Sequence, residues 1–217
     1  MPKVLTLLHT TPVVVGLIGS LAKEILPGGT VIRHYVDDSL LNDTRAAGHL
    51  TKDVVRRMVG HVQHAEAYGS DCVLFTCSSV GPAVDVARLV VNIPVLKIDE
   101  PMAEEAVRRG TRIAVLATLA TTLGPTKELI QQKDPGATVD TILCSDAFDA
   151  LARGDGQLHN RLLIGQITCA AAAYDVVVLA QASMTNILPD LPVEVVPRVL
   201  TSPRLGLIRT AEVLRGL

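Results

Sequence analysis

The chain has 217 residues, with 20 basic and 22 acidic side chains that leave a net charge of -2. Hydrophobic residues make up 48% of it and aromatic residues only 2%, with no Trp. This composition excludes a disordered chain, and it disfavours both nucleic-acid binding and an aromatic ligand cage, which need basic or ring-rich surfaces. We expect a soluble cytoplasmic α/β protein that binds a small molecule, with neither nucleic acid nor membrane as a partner.

The stretch between Lys3 and Lys23 contains no charged residue and looks at first like a signal peptide. The polar segment 9–12 interrupts it, whereas a signal peptide needs an unbroken apolar core. We therefore predict a buried strand over 4–8 followed by a turn, with a helix that opens near Pro12. No targeting segment is expected.

Short apolar runs alternate with longer helical patterns along the whole chain. Strands are predicted at 4–8, 30–36, 72–76, 95–98, 112–117, 138–143, 176–180 and 194–196. Helices are predicted at 13–25, 51–68, 81–91, 101–109, 122–133, 157–173 and 204–216. Alternation at this spacing indicates an α/β fold with mostly parallel sheets flanked by helices.

Two segments resemble each other, DCVLFTCSSVG at 71–81 and DVVVLAQASMT at 175–185. Each has an Asp, then a buried strand, then a small polar cluster that opens a helix. This internal similarity predicts two lobes, the first made of residues 1–98 plus 203–217 and the second of residues 99–202.

The residues that follow the predicted strands are mainly small and polar. Ligands of parallel α/β sheets bind beyond the carboxyl ends of the strands. In strand order these residues are His9, Thr10 and Thr11; Asp37, Asp38 and Ser39; Cys77, Ser78 and Ser79; Asp99 and Glu100 (read as a helix start); Thr118 and Thr121; Cys144; and Gln181 and Ser183. Such a rim suits a small oxyanion, a carboxylate in particular.

Cys77 is the candidate catalytic residue among four widely spaced cysteines, whose spacing favours neither a metal motif nor a disulfide framework. It ends a buried strand and opens a helix, where the dipole and free backbone N–H groups lower a thiol pKa. A thiolate there abstracts a proton and a thiol returns one; the alternative is a cysteine that only packs. Cys72 and Cys169 are expected to pack, and Cys144 stays open between the two roles.

Histidines and aspartates supply weaker candidates. His9 is read either as a general acid or hydrogen-bond donor to substrate, or as a structural residue at a strand end. His61 and His64 lie three apart on a helix, but no third ligand is near in sequence, so a solvated face is expected and no metal site. Asp37 and Asp38 are candidates for a helix cap and a substrate ligand. No glycine-rich nucleotide motif occurs, and no cofactor is predicted.

Three motifs together resemble the aspartate/glutamate/hydantoin racemase superfamily, which includes maleate isomerase and arylmalonate decarboxylase. They are Cys77-Ser78-Ser79, Thr118-Leu119-Ala120-Thr121 and Gln181-Ala182-Ser183-Met184. The likeness covers essentially the whole chain and rests on the order and spacing of these motifs. It implies a cofactor-independent enzyme with two pseudosymmetric lobes, an active site in the cleft between them, and a homo-oligomer.

In racemases of this superfamily two cysteines face opposite sides of the substrate's α-carbon, and the resemblance assigns the first role to Cys77. Gln181 stands in the place of the second cysteine, and an amide exchanges no proton near neutral pH. The resemblance therefore implies one-base chemistry from the Cys77 side: isomerisation, decarboxylation with reprotonation, or covalent addition. His9 and Cys144 both stay open as a second proton-transfer group.

We therefore expect a racemase-like isomerase that acts on a small carboxylate substrate such as an amino acid, a hydantoin or a dicarboxylate. The alternatives are a single-cysteine decarboxylase, which is a lyase, and a catalytically silent protein that binds a small acid. Cys77 is expected to transfer the proton. The substrate is expected to contact His9, Thr10, Asp38, Ser78, Ser79, Thr118, Thr121, Gln181 and Ser183.

Overall fold

A computed structural model describes residues 2–217, apart from the side chain of Leu151. The chain divides into two compact units. The first unit runs to Pro101 and resumes at Pro203–Leu217, and the second comprises Met102–Ser202. Each unit contains a four-stranded sheet in which every strand pair is parallel. The predicted α/β class with two lobes is confirmed.

The strands are β1 (Val4–His9), β2 (Val31–Val36), β3 (Cys72–Phe75), β4 (Val95–Lys97), β5 (Arg112–Ala117), β6 (Thr138–Leu143), β7 (Val176–Leu179) and β8 (Val199–Thr201). The α-helices are α1 (Val15–Ile25), α2 (Ser39–Ala47), α3 (Lys52–Ala67), α4 (Pro82–Ala87), α5 (Glu100–Arg109), α6 (Ala120–Lys133), α7 (Ser145–Ala152), α8 (Gly156–Ala173) and α9 (Ser202–Gly216). The 3-10 segments are Pro12–Val14, Ser78–Val80, Ala182–Asp190 and Val196–Arg198.

The two sheets have the same topology. The first has the order β2-β1-β3-β4 and the second the order β6-β5-β7-β8. In each, the third strand in sequence is buried at every residue, whereas the outer strand at one edge is mostly exposed or half-buried. The central strands are apolar on both faces because helices cover both sides of the sheet.

Local sequence signals set the beginnings of several helices. The Thr11 hydroxyl accepts a hydrogen bond from the N–H of Val13, and Pro12 takes the first helical position, where its fixed φ suits the turn and no N–H is needed. Thr51 caps α3 and Asp155 caps α8 in the same way. These side chains satisfy backbone N–H groups that a helix leaves without a partner.

The eighth predicted strand is wrong in position. The segment 194–196 lies in a turn region, and the strand that pairs with β7 is β8, in which Val199 lies opposite Val177. Pro197 lies in the 3-10 segment that separates the two. Because proline has no N–H to donate to a sheet, the strand begins only after it.

The prediction also missed α2 and α7 and made α4 too long. Helix α2 has only nine residues and α7 only eight, which is short for a hydrophobic period to be visible. Helix α2 ends at Gly48, whose φ of 73° lies in the left-handed region and favours glycine. Along residues 2–217, no helix combines the length and the apolar character needed to cross a bilayer.

Candidate active site

Cys77 lies in a turn at the carboxyl end of β3. Its backbone is extended, with φ -138° and ψ 118°, and the 3-10 segment Ser78–Val80 follows directly. The side chain remains partly exposed. The backbone N–H groups of Ser79 and Val80 and the hydroxyl of Thr10 approach the thiol and favour its ionised form. The turn thus surrounds the sulfur of a half-buried cysteine with hydrogen-bond donors.

Burial nevertheless raises the pKa of the Cys77 thiol above its usual value, against the lowering effect of Thr10 and the two backbone N–H groups. The expectation of a lowered pKa is therefore wrong in its net direction. The helical segment after Cys77 is a three-residue 3-10 turn followed by the six-residue α4, and so short a segment supplies little dipole. The net effect is that the thiol form of Cys77 is favoured over the thiolate.

The Thr10 hydroxyl itself is in an unusual position. Its side chain is 1% exposed, and within residues 2–217 its oxygen has no hydrogen-bond partner of standard geometry. Its interaction with the Cys77 thiol is therefore electrostatic rather than a well-formed hydrogen bond. A buried hydroxyl without a partner carries a desolvation cost, which a ligand oxygen at this position would relieve.

Asp99 is a neighbour of Cys77 that the sequence prediction did not assign to the site. It follows β4, is 3% exposed, and accepts a hydrogen bond from the Ser78 side chain. Burial raises the pKa of its carboxyl group, and the nearby Lys97 ammonium acts in the opposite direction. The Lys97 Nζ atom also lies 2.7 Å from an Asp85 carboxylate oxygen. Since β3 and β4 are adjacent and parallel, their carboxyl ends had to meet, and that rule would have identified Asp99.

Gln181 occupies the corresponding turn in the second unit, at the carboxyl end of β7. Its backbone is also extended, with φ -115° and ψ 132°, and the 3-10 segment Ala182–Asp190 follows. The Gln181 Oε1 atom accepts hydrogen bonds from the Thr118 N–H at 2.5 Å and from the Thr118 hydroxyl at 3.0 Å. A backbone N–H is always a donor, so the oxygen of the amide must face Thr118. The amide NH2 group is left to donate to a ligand.

The register of the two sheets makes Thr10 structurally equivalent to Thr118, and Cys77 structurally equivalent to Gln181. Leu8 in β1 pairs with Phe75 in β3, and Leu116 in β5 pairs with Leu179 in β7. Two residues beyond each pair come the two threonines and the two turn residues. Each unit therefore places a Thr beside the residue that opens the turn, a thiol in one unit and an amide in the other.

The Asp residues that begin the echoed segments have the same structural role in both units. The Asp71 carboxylate accepts the N–H of Val4 at 2.7 Å. The Asp175 carboxylate accepts the N–H groups of Thr111 at 3.1 Å and Arg112 at 2.9 Å. Each Asp therefore joins the start of the third strand to the start of the first.

His9 lies in a buried network rather than at a free position. Its ring is 0% exposed, with Nδ1 2.9 Å from the Thr76 hydroxyl and Nε2 3.0 Å from Nδ1 of His34. The Thr76 hydroxyl donates to the Leu8 carbonyl, so it accepts from His9 Nδ1–H, and His34 then donates to Nε2. Burial, helped by the charge of His34, lowers the pKa of His9 to about 4. Both ring nitrogens are engaged within the protein, which favours the structural role of the two that were left open for His9.

The remaining cysteines take different positions. Cys72 is fully buried, as expected, and Cys144 is 6% exposed in the core of the second unit beside Leu116. Burial raises the pKa of Cys144, and its place in the core favours the packing role. Cys169 is exposed, so its expected packing role is wrong; the buried residues Ile167 and Ala170 lie on the opposite side of α8.

The Asp and His candidates of the first unit lie in different surroundings. One Asp37 oxygen accepts the Ser39 N–H at 3.1 Å at the start of α2, and the other lies 2.7 Å from His61 Nε2. These hydrogen bonds lower the pKa of Asp37. Asp38 is exposed with no capping hydrogen bond. The His64 ring stacks on Tyr68.

The other predicted contact residues lie at the same sheet ends. Ser78 and Ser79 are buried in the Cys77 turn, and Ser183 is half-buried in the Gln181 turn. Thr121 is half-buried in the first turn of α6. The structure therefore joins Thr10, Ser78 and Ser79 to Cys77, and Thr118 to Gln181.

Comparisons with known proteins agree with this architecture. The model of the Asp/Glu/Hydantoin racemase family matches residues 8–207, and no curated protein matches the chain by sequence alone. The fold is similar to allantoin racemase from Klebsiella pneumoniae, with TM-score 0.70 and 16% identity over 99% of this chain and 88% of that one. It is similar to the aspartate racemase of Picrophilus torridus, with TM-score 0.71 and 14% identity over 97% and 94% of the two chains.

Glutamate racemase from Bacillus anthracis has a TM-score of 0.75 at 16% identity, over 99% of this chain and 82% of that one. The fold and the paired turns thus define an α/β protein of the racemase type. The chain belongs to the Asp/Glu/Hydantoin racemase family. The resemblance seen in the sequence is confirmed.

Proposed function

We propose that this protein is a cofactor-independent isomerase that moves a proton at the carbon next to a carboxylate, with Cys77 as the group that carries the proton. The observation that carries the proposal is the Cys77 turn, where the thiol of a half-buried cysteine lies beside the Thr10 hydroxyl and the N–H groups of Ser79 and Val80. The substrate class is an amino acid, a hydantoin or a small dicarboxylate.

The proton step follows from the surroundings of the thiol. A Cys77 thiolate removes the proton from the α-carbon, so that an S–H bond forms, the C–H bond breaks and the electron pair enters the carboxylate as an enediolate. The thiol then returns the proton to carbon. Because burial raises the pKa of Cys77, the thiolate is scarce at neutral pH, and proton removal should accelerate as the pH rises.

The enediolate needs donors that are in place before charge develops. Ser79, Thr121 and Ser183 present hydroxyl or backbone N–H groups at the carboxyl ends of the strands. Donors of this kind are each worth about 10²- to 10³-fold in rate when they face a developing oxyanion. We assign the binding of the carboxylate and enediolate oxygens to groups of this kind, with the Ser79 N–H beside Cys77 as the donor of the first unit.

Gln181 has a different task from that of Cys77. Its amide oxygen is occupied by Thr118, so it offers a substrate only N–H donors and exchanges no proton. We assign to Gln181 the orientation of a substrate oxygen, and to Thr118 the positioning of Gln181. A single thiol that removes and returns the proton on one face exchanges it with solvent. Inversion at the carbon additionally requires that the planar enediolate turn its other face to Cys77 before the proton returns.

The test is hydrogen exchange on a substrate panel in deuterium oxide. Amino acids, hydantoins, maleate and substituted malonates are incubated with the protein, and the α-proton signal and the optical rotation are followed by NMR and polarimetry. We expect exchange with at least one compound, and a loss of about 10²- to 10⁴-fold for Cys77→Ala, the usual worth of a positioned acid–base group. Undiminished exchange by Cys77→Ala removes Cys77 from the mechanism.

Cys169→Ala is the matched control, because it removes an exposed thiol from α8 and should leave exchange unchanged. Binding of a panel compound without any exchange in the wild-type protein identifies the catalytically silent acid-binding protein instead.

A lyase of the single-cysteine decarboxylase type is the second candidate. One observation favours it: the raised pKa of Cys77 makes it a proton donor at neutral pH, and decarboxylation needs only a donor to the carbanion that remains. The pH profile separates the two reactions. Proton removal accelerates as the thiol ionises, whereas reprotonation after loss of carbon dioxide slows over the same pH range.

A further inference from the structure

The first unit contains a pocket of about 340 Å³ that is separate from the Cys77 turn. Its lining includes Thr6, Arg33, Tyr35, His64, Tyr68 and Ser70. Ser70 precedes β3 and Cys77 follows it, and seven residues at about 3.3 Å each reach at most about 23 Å. The Ser70 wall of the pocket and the proposed catalytic thiol are therefore at opposite ends of β3.

Strand register explains why these side chains meet. Arg33 pairs with Thr6, and Tyr35 pairs with Leu8; residues two apart in a strand point to the same face. Leu8 on that face packs in the core cluster that also includes Ala65 of α3. The last turn of α3 therefore covers this part of the sheet and supplies His64 to the pocket.

The walls of the pocket hold much of the protein's aromatic surface. The chain has only three Tyr and two Phe, yet Tyr35 and Tyr68 both line this pocket, 38% and 68% exposed. The Tyr68 ring stacks on His64 with 4.9 Å between centroids. Average composition argued against an aromatic site, but the few rings are concentrated here.

Arg33 is the permanent charge of the pocket. One Nη1–H group donates to the Tyr68 carbonyl at 2.6 Å, which orients the guanidinium. No carboxylate in the described part of the chain forms an ion pair with it. An arginine has five N–H donors in a planar fork that matches a carboxylate, so donors remain for a ligand.

The inner wall of the pocket is polar, and its two hydroxyl groups are hydrogen-bonded to each other. Thr6 and Ser70, 2% and 4% exposed, share a hydrogen bond of 2.7 Å between their hydroxyl oxygens. The pocket volume falls at the lower end of the range for small-molecule sites, about 300 to 1,000 Å³. The pocket therefore has one cationic side chain, aromatic rings in its walls and a small volume.

From these features we infer that the pocket binds a small aromatic carboxylate, with its carboxylate on Arg33 and its ring against Tyr35 and the His64–Tyr68 stack. The inference is independent of the proposed isomerase reaction, because no pocket residue belongs to the Cys77 or Gln181 turns.

The test uses benzoate as the probe, with acetate, benzamide and adenosine monophosphate as comparisons. Calorimetry gives the affinities, and assigned amide NMR spectra locate the site. We expect benzoate to bind about tenfold or more tightly than acetate or benzamide, because each lacks one half of the recognition. Shifts should include the amides of Thr6, His64 and Ser70. Tighter binding of the nucleotide, or benzoate shifts confined to Ser78 and Ser79, overturns the inference.

Two substitutions examine the recognition directly. Arg33→Met and Tyr68→Ala should each weaken benzoate binding about tenfold, while Arg56→Met, an exposed cation on α3 that does not line the pocket, should leave it unchanged. Tyr68 is 68% exposed, so the Tyr68→Ala variant should fold normally. It therefore still tests the inference if the Arg33→Met variant fails to fold. Unchanged affinity in both pocket variants contradicts the inference.

Discussion

The two units hold the same turn and give it different chemistry. In both, an Asp ties the third strand to the first, a Thr lies beside the turn, and the turn residue is extended before a 3-10 segment. The first unit places a thiol there and the second an amide. The backbone geometry thus persists independently of the group it presents, and a single side chain decides whether the turn can exchange a proton.

Gln181→Cys is the substitution that removes the chemical difference between the two turns, and it should have the largest effect. It places a second thiol in a turn with the same backbone form, so two thiols become available. We expect racemisation of the best panel substrate to rise by about 10²- to 10⁴-fold, the usual worth of a positioned acid–base group. Optical rotation and deuterium incorporation measure it.

The double variant Cys77→Ala with Gln181→Cys is the companion measurement. It moves the single thiol to the second unit, and it should retain deuterium exchange while losing the gain in racemisation. If the single substitution adds no racemisation although the protein stays folded and Cys77 is active, the assumed equivalence of the turns is wrong.

The next largest expected effect is that of His9 on how the free energy of unfolding depends on pH. The second unit has Ala117 at this strand end, so only the first unit titrates here. The pKa of His9 falls from 6.5 to about 4 on folding, and the unfolded chain therefore binds more protons between those values. The free energy of unfolding should decrease as the pH falls from 6.5 to 4, by up to about 3 kcal/mol.

Urea unfolding at a series of pH values measures this dependence. His9→Gln keeps a side-chain donor for Thr76 and removes the titration, so its stability should vary less with pH over that window. An equal pH dependence in the wild type and the variant would assign the effect to other groups.

Glycines in two helices give the next comparison. A Cβ atom at Gly206 of α9 would lie 2.5 Å from the Ile98 carbonyl oxygen, whereas one at Gly165 of α8 would meet nothing within 4 Å. Gly206→Ala should therefore destabilise the protein by about 1 to 3 kcal/mol through overpacking. Gly165→Ala should stabilise it by about 0.5 to 1 kcal/mol because alanine loses less backbone entropy. Opposite shifts in the thermal midpoint are expected.

The two threonines give the smallest effect and the sharpest contrast. Thr118→Val removes a hydroxyl that donates to Gln181 at 3.0 Å, and should cost about 0.5 to 1.5 kcal/mol. Thr10→Val removes a buried hydroxyl with no standard partner in the described chain, and should leave stability unchanged or slightly higher. Chemical denaturation of both variants measures the difference.

Thr10→Val should also change the thiol. The Thr10 hydroxyl lowers the pKa of Cys77, so its loss should move alkylation of Cys77 by iodoacetamide to higher pH. The measurement is made in a Cys169→Ala background, because that exposed thiol also reacts. An alkylation profile that does not move contradicts the role of Thr10.

Hydrophobic runs and register account for what the sequence could predict. The central strands are apolar on both faces, and seven of the eight predicted strands overlap observed ones. Helices α2 and α7 were missed because they are short, and the eighth strand was misplaced because Pro197 delays its start. Local patterns do not report such tertiary pairing.

For the candidate site, the sequence indicates which residues follow the strands, but not how their surroundings shift their pKa values. Cys77, Thr10 and Gln181 followed from strand ends and family likeness. The direction of the Cys77 pKa depended on how deeply the turn is buried, and the role of His9 depended on its contacts with Thr76 and His34. Neither the pKa of Cys77 nor the role of His9 can be deduced from sequence spacing, because the desolvation of a side chain depends on its whole three-dimensional environment.

The chain leaves the first unit at Pro101 and returns to it at Pro203, which has a consequence for biosynthesis. The second unit is continuous in sequence, so all of it is synthesised before α9. The contact of Gly206 with Ile98 forms only when that last helix emerges. On the ribosome, the unit that begins first therefore finishes second, and until then Ile98 lacks its neighbour in α9.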